Sequence, residues 1–331
     1  ICGSAASWMI KNIVHNRGGL HNRITRKIRL LPFTVKETAL YLEARHINLD
    51  RYSVLQLYMA LGGIPHYLKE IKRGESATQA IDRLCFAKDG FLSQEFKELF
   101  HSLFDNPQKH LNIVRALAKI KSGLTRTQII EEIKLSSGGT VTATLDELIE
   151  SGFVAAWPPY NRKIKDSIYK LSDEFTHFYL KFMENNMTSG AGAWERFSTG
   201  QSWRSWSGIA FERIWLKHIP QLKKALGIAS VYTEVSVWRN APPAGKGAQI
   251  DLLIDRRDFA INLCEMKFTE NPFTIDKAYA SDLEHKRTAF KTVSGTNKSL
   301  FLTMVTTFGV QSNPYSQQYI QASITMDALF E

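Results

Sequence analysis

The chain has 331 residues, enough for two or three domains with cores of their own, and its 44% hydrophobic and 22% charged residues exclude a disordered or fibrous polypeptide. No uninterrupted apolar run approaches the roughly 18 to 20 residues of a membrane helix, and no secretory signal is read, so the expected compartment is the cytoplasm, with no membrane partner. The net charge of +10 is uneven: residues 1–36 hold seven Lys and Arg and no acid, residues 37–200 hold twenty of each sign, and residues 201–331 hold fifteen basic and twelve acidic, so the sequence pI alone does not imply a nucleic-acid partner. Cys2, Cys85 and Cys264 are isolated in apolar settings without metal-ligand spacing, which predicts reduced core thiols.

In chain order, ICGSAASWM opens as a buried strand running into Gly3-Ser4, and the basic stretch GGLHNRITRKIRLLPFT follows. The first resembles the sensor-1 strand of AAA+ ATPases, which implies that Ser4 (or Ser7) reaches a γ-phosphate or its attacking water. The second resembles that family's basic segment, which implies that Arg23 and Arg26 act on a neighbouring subunit's nucleotide; a solvated strand edge is the competing reading. From Pro32 the text is helical. PFTVKETALYLEARHI and YSVLQLYMALGGIPHYLKEI carry apolar residues at three-and-four spacing, with Thr34 and Glu37 as a capping box.

Gly62-Gly63-Ile64-Pro65-His66-Tyr67-Leu68 breaks the second helix. A GG(I/V)PxYL signature of this kind resembles the lid of prokaryotic AAA+ ATPases of the DUF234 type, a resemblance that spans the chain. No GxxxxGK(S/T) occurs anywhere. The resemblance therefore implies a C-terminal part of a longer ATPase, in which ATP is a cofactor only of the full-length parent, and oligomerisation through the AAA+ part.

Residues 106–172 read as a winged helix-turn-helix, with helices over 110–121, 124–133 and 136–151, then a hairpin whose tip is Pro158 to Lys163 and which returns through Ser167 to Leu171. In such domains the third helix enters the major groove and the wing touches phosphate, so Thr140, Thr142 and Thr144 are candidate DNA contacts, as are Arg162, Lys163 and Lys165. The third helix carries no arginine and several acids, and a spacer or dimer contact is the alternative. Phe175, Phe178, Tyr179 and Phe182 on the following helix are expected core, and residues 187–192 are expected linker.

The stretch GAQIDLLIDRRDFAINLCEMKF, Gly247 to Phe268, carries the candidate chemistry. Two apolar runs flank Arg256-Arg257-Asp258, so a hairpin turning at position 258 sets Asp251 and Glu265 opposite each other. The strand period then puts Lys267 on the face of Glu265. Two carboxylates suit a hard cation such as Mg²⁺ or Mn²⁺, and a lysine beside them can orient water or stabilise phosphate charge.

An Asp followed after a strand and turn by Glu-x-Lys resembles the PD-(D/E)XK nuclease superfamily, and the resemblance covers roughly the last 130 residues. It implies catalytic roles for Asp251, Glu265 and Lys267, metal ligation by Asp251 and Glu265, and an auxiliary acid at Glu212 on the first helix. Ile250 stands where many members have proline. Flanking elements fall in the family's order: a helix over 203–226, a strand over 231–238, the hairpin, a helix over 275–293 and a strand over 298–306. Tyr279, Lys286 and Arg287 lie on that second helix; Lys286 either approaches phosphate or belongs to a solvated face, and the solvated face is the preferred reading. The nine histidines form no zinc pattern.

The sequence thus predicts a multidomain chain of α and α/β parts: the end of an AAA+ core (1–33), a helical lid with connecting helices (34–105), a winged helix-turn-helix with a trailing helix (106–186), a linker (187–202) and a restriction-endonuclease-like α/β domain (203–331). Expected function is a Mg²⁺-dependent DNA endonuclease attached to an AAA+ ATPase. A non-catalytic module that binds DNA or a protein partner is the alternative.

Overall fold

The computed structural model describes residues 28–134, 138–186, 190, 192–241 and 246–331. Ser4, Arg23, Arg26 and Cys2 lie outside the described residues. The chain is mixed α/β and divides into two compact units: the first holds the described residues up to Ala156 with Tyr169–Trp203, the second Trp157–Ile168 with Arg204–Glu331. Among the described residues no helix is long and apolar enough to cross a membrane.

Among the described residues the first helix of the first unit is α1 (Val35–Ala44), started by the expected capping box. Thr34 N donates to Glu37 Oε2 at 2.7 Å, and Glu37 N donates back to Thr34 Oγ1 at 3.2 Å. Helix α2 (Arg51–Leu61) ends at Gly62, where φ is 67°. Gly63 passes so close to the chain before α1 that Phe33 N donates to its carbonyl at 2.7 Å, and a Cβ there would lie 1.9 Å from Phe33 O. Pro65 opens the short α3 (Pro65–Leu68), whose Tyr67 hydroxyl donates to Glu95 Oε1 at 2.8 Å. GGIPHYL is therefore a corner in which Gly62 supplies the positive φ and Gly63 the backbone clearance.

Beyond it run α4 (Ala77–Cys85), α5 (Glu95–Leu103), α6 (Pro107–Lys119), β1 (Leu124–Thr125), α7 (Arg126–Ile133), α8 (Gly138–Glu150), β2 (Val154–Trp157) and β3 (Ile168–Leu171), with the three strands in the order β1-β3-β2. Helix α9 (Glu174–Phe178) passes into a π turn over Tyr179–Met183, and α10 (Ala193–Ser198) closes the unit. The expected aromatic core is present: Tyr179 stacks on Phe96 with ring centroids 4.2 Å apart, and Phe178 and Phe182 meet Trp194 edge-on.

In the second unit, one expected helix over 203–226 is two, α11 (Gln201–Lys217) and α12 (Ile219–Ala225). His218 leaves helical geometry, and Pro220 sits in the first turn of α12, where its missing N–H is harmless. The sheet is β4 (Thr233–Asn240), β5 (Ala248–Arg256), β6 (Ala260–Lys267), β7 (Ser299–Thr306) and β8 (Ala322–Thr325), in that spatial order. Strands β4, β5 and β6 pair antiparallel, while β6, β7 and β8 pair parallel. The crossover from β6 to β7 is α13 (Lys277–Ser294), capped by Asp276, and α14 (Pro314–Tyr319) leads to β8; α14 and β8 were not expected. One face of the sheet packs Trp238, Leu253, Ile261 and Leu263 against Leu283 and Phe290 of α13. Cys85 and Cys264 are free, buried thiols, and burial pushes both well above the ordinary thiol range.

The hairpin tip between β2 and β3 was expected to belong with residues 106–186, but its contacts group it with the second unit. Tyr160 N donates to Val237 O at 3.2 Å, Val237 N donates to Pro158 O at 3.3 Å, and the Tyr160 ring meets Phe290 edge-on at 5.1 Å. Strand β4 is one edge of the sheet, and this segment satisfies the outward N–H and C=O of Val237 on it.

Candidate metal centre

Leu252 of β5 faces Cys264 of β6, and the register runs through Leu253 with Leu263 to Asp255 with Ile261. Carried one pair outward, it sets Asp251 opposite Glu265. The two ends are tied there, because Met266 N donates to Asp251 Oδ2 at 2.9 Å. Residues opposite each other share a face, so Asp251, Glu265 and Lys267 lie on the side that Leu253, Ile261 and Leu263 present to α13. The turn that fixes this register is Arg257 to Phe259, braced by an ion pair of Arg256 with Asp258 and closed by Phe259 at φ 61°.

Both carboxylates are buried, Asp251 at 8% exposure and Glu265 at 2%. Glu265 Oε2 accepts a hydrogen bond from Lys286 Nζ of α13 at 2.7 Å, while its Oε1 is buried without a hydrogen-bond partner. Burial, reinforced by the nearby Asp251 charge, pushes the Glu265 carboxyl up to about 8, against the pull of Lys286 and Lys267. Burial works against the Lys286 ammonium, but Glu265, Asp251 and Asp282 outweigh it and hold the group charged above its usual range. The two shifts meet on one pair.

The charges continue outward along α13. Lys286 Nζ is 3.6 Å from Asp282, which Lys246 Nζ also reaches at 2.5 Å. Burial would raise Asp282, yet Lys246 and Lys286 hold it below the usual carboxylate range. Lys267 Nζ sits over the Tyr279 ring, 5.2 Å from its centroid. The Tyr279 hydroxyl is itself buried without a partner, and burial together with Glu265, Asp251 and Asp282 pushes the phenol far up, so it stays protonated.

Sequence reasoning preferred a solvated face for Lys286, and that is corrected: its side chain is 16% exposed and bonded to Glu265. A signal was there. Tyr279, Asp282, Leu283, Lys286 and Phe290 recur at three-and-four spacing, which puts the lysine on the stripe that buries Leu283 and Phe290. Glu212 is buried on α11, whose Phe211 packs on Phe268 with centroids 5.7 Å apart. Among the described residues no group of three or more His, Cys, Asp and Glu is arranged to hold a metal, so Glu212 is not gathered with Asp251 and Glu265, which stand as a pair.

The candidate DNA contacts are spread over both units. On α8, Thr142 is exposed and its Oγ1 accepts from Arg126 Nε at 2.7 Å, and Thr140 is half-buried. Thr144 is turned inward at 6% exposure and its hydroxyl donates to Thr140 O at 2.9 Å, so it is no surface contact. It shares a helix stripe with buried Val141, Leu145 and Leu148. Arg162, Lys163 and Lys165 are all exposed and, with Asn161 and Asp166, line an open hollow of about 660 Å³.

No protein-family model matches the chain, and no curated protein matches it.

Proposed function

We propose that the second unit is a divalent-metal-dependent phosphodiesterase of the PD-(D/E)XK type acting on DNA, joined to a winged helix and the lid of an AAA+ ATPase. The observation that carries this reading is the juxtaposition of Asp251 and Glu265 across the β5–β6 ladder, with Lys267 and Lys286 beside them. The donor set fits a hard cation. It offers carboxylate oxygens, one of them, Glu265 Oε1, is buried without a partner, and an ammonium is already drawn onto the other.

Asp251 and Glu265 would hold Mg²⁺ or Mn²⁺, which when bound polarises a phosphate and acidifies water. Met266 N orients Asp251, and the Tyr279 ring holds Lys267 at the end of β6, two residues from Glu265. From there its ammonium stabilises charge accumulating on the phosphate.

The winged-helix reading is supported by the element order from α6 to β3 and by the strand order β1-β3-β2. The exposed Thr142, Arg162, Lys163 and Lys165 are the side chains that would meet DNA phosphates. A non-catalytic binding module is favoured by one observation, that Asp251 and Glu265 gather no third acidic or histidine ligand among the described residues.

Plasmid nicking with added Mg²⁺ or Mn²⁺, comparing wild type with Asp251→Asn and Glu265→Ala, separates the two. Metal-dependent nicking lost in both variants supports the enzyme. Absence of nicking with retained, salt-sensitive duplex binding supports the module.

A further inference from the structure

The charged groups of α13 form a line that no reading of the hairpin alone requires. Lys286 Nζ lies 2.7 Å from Glu265 Oε2 and 3.6 Å from Asp282 Oδ2, so one ammonium stands between an inner and an outer carboxylate. Asp282 and Lys286 are four residues apart on the same helix, and a rotation about the lysine stem carries the ammonium from one carboxylate to the other. The outer carboxylate has a second partner, Lys246, whose side chain is 64% exposed and is free to turn into water. Glu265 Oε1 is meanwhile buried and unpartnered beside the bonded Oε2.

We infer that Lys286 is a resident counter-ion of the metal seat, holding Glu265 when no divalent cation is bound and moving to Asp282 when one takes the carboxylate. This rests on the reading of Asp251 and Glu265 as metal ligands. Two buried carboxylates without a counter-charge would repel each other, and Lys286 supplies that charge. A displaced ammonium left unpaired in the interior would oppose metal binding strongly, and Asp282 removes that obstacle. Lys267 does not share the role, since its ammonium rests on the Tyr279 ring. Lys286 is a positioning residue in this account: it acts through Glu265.

The test uses the full chain, metal-free, with ¹⁵N-labelled lysine. The Lys286 ammonium resonance is assigned by its loss in Lys286→Arg, and Mg²⁺ is then titrated by NMR and by calorimetry into wild type, Asp251→Asn and Asp282→Asn. The expected result is a shift of the Lys286 resonance with the calorimetric midpoint, and weaker binding to Asp282→Asn by roughly tenfold, in the span typical of coupled sites. If Mg²⁺ binds wild type and not Asp251→Asn, yet the Lys286 resonance stays in place or Asp282→Asn binds as tightly as wild type, the counter-ion role is overturned and the metal reading stands. If wild type binds no Mg²⁺, both fall.

Discussion

Replacing Glu265 by Gln should stabilise the metal-free protein, and the gain should depend on pH in a direction the site dictates. Glutamine keeps the side-chain shape and an acceptor oxygen for Lys286, but it has no proton to lose. In the folded protein burial and Asp251 push the Glu265 carboxyl up to about 8, whereas the unfolded chain ionises near the ordinary 4.5. Between those values the folded state keeps a proton that the unfolded state releases, so stability is fully present below about 4.5 and is lost as pH rises through about 8. The gap of about 3.5, at ~1.4 kcal/mol per pH unit, is worth about 5 kcal/mol. Urea unfolding with a chelator present, followed by tryptophan fluorescence at about pH 5 and about pH 8, reads the effect, and taking the difference between the two proteins cancels the other titrating groups. Wild type should fall relative to Glu265→Gln by several kcal/mol across that interval. Parallel pH profiles would refute the argument, because they would mean that Glu265 is ionised at no cost inside the fold.

If Glu265 is the proposed metal ligand, the same proton governs metal binding: Mg²⁺ affinity should drop about tenfold for each pH unit below about 8 and level off above it, with calorimetry in two buffers reading the released proton; a flat profile would count against Glu265 as a ligand. Gly63→Ala puts a Cβ 1.9 Å from a backbone oxygen that has no room to yield, and should cost roughly 3 kcal/mol or more, measured as a loss in thermal midpoint of the first unit. Phe259→Asn relieves a bulky residue held at φ 61° and 77% exposed, and should gain about 1 kcal/mol in denaturant unfolding; a loss would show that the ring makes an unrecognised contact.

What could be read from the sequence was local or symmetric. The midpoint at 258 sets the register of β5 and β6 because two apolar runs of similar length flank a polar turn, and a slip of one residue would turn Asp251 and Glu265 to opposite faces. Thr34 with Glu37 announces α1 because the capping contacts span three residues. The inward turn of Thr144 and the burial of Lys286 were legible in principle from helix periodicity, but residue type suggested a surface role and outweighed position. The docking of Tyr160 beside Val237 joins residues 77 apart through backbone groups, and nothing in either stretch marks the other. Strand β8 is four residues long and, among the described residues, pairs only with β7, too short for its alternation to stand out.

Taken inward from solvent, the site runs Lys246, Asp282, Lys286, Glu265 and Asp251, with Lys267 alongside. The signs alternate until the innermost step, where two carboxylates meet at 2% and 8% exposure. An ion network that served only the fold would gain by ending on a neutral group at that point, since an uncompensated charge destabilises the interior. The excess negative charge is thus both what weakens the metal-free protein as pH rises and what a cation would satisfy, so the two effects are linked through one side chain. Glu265→Gln must therefore do two things together: stabilise the metal-free protein above neutral pH and weaken Mg²⁺ binding. A variant that gained stability while binding Mg²⁺ as tightly as wild type would separate the buried charge from the metal seat, and the ligand assignment would then have to move away from Glu265.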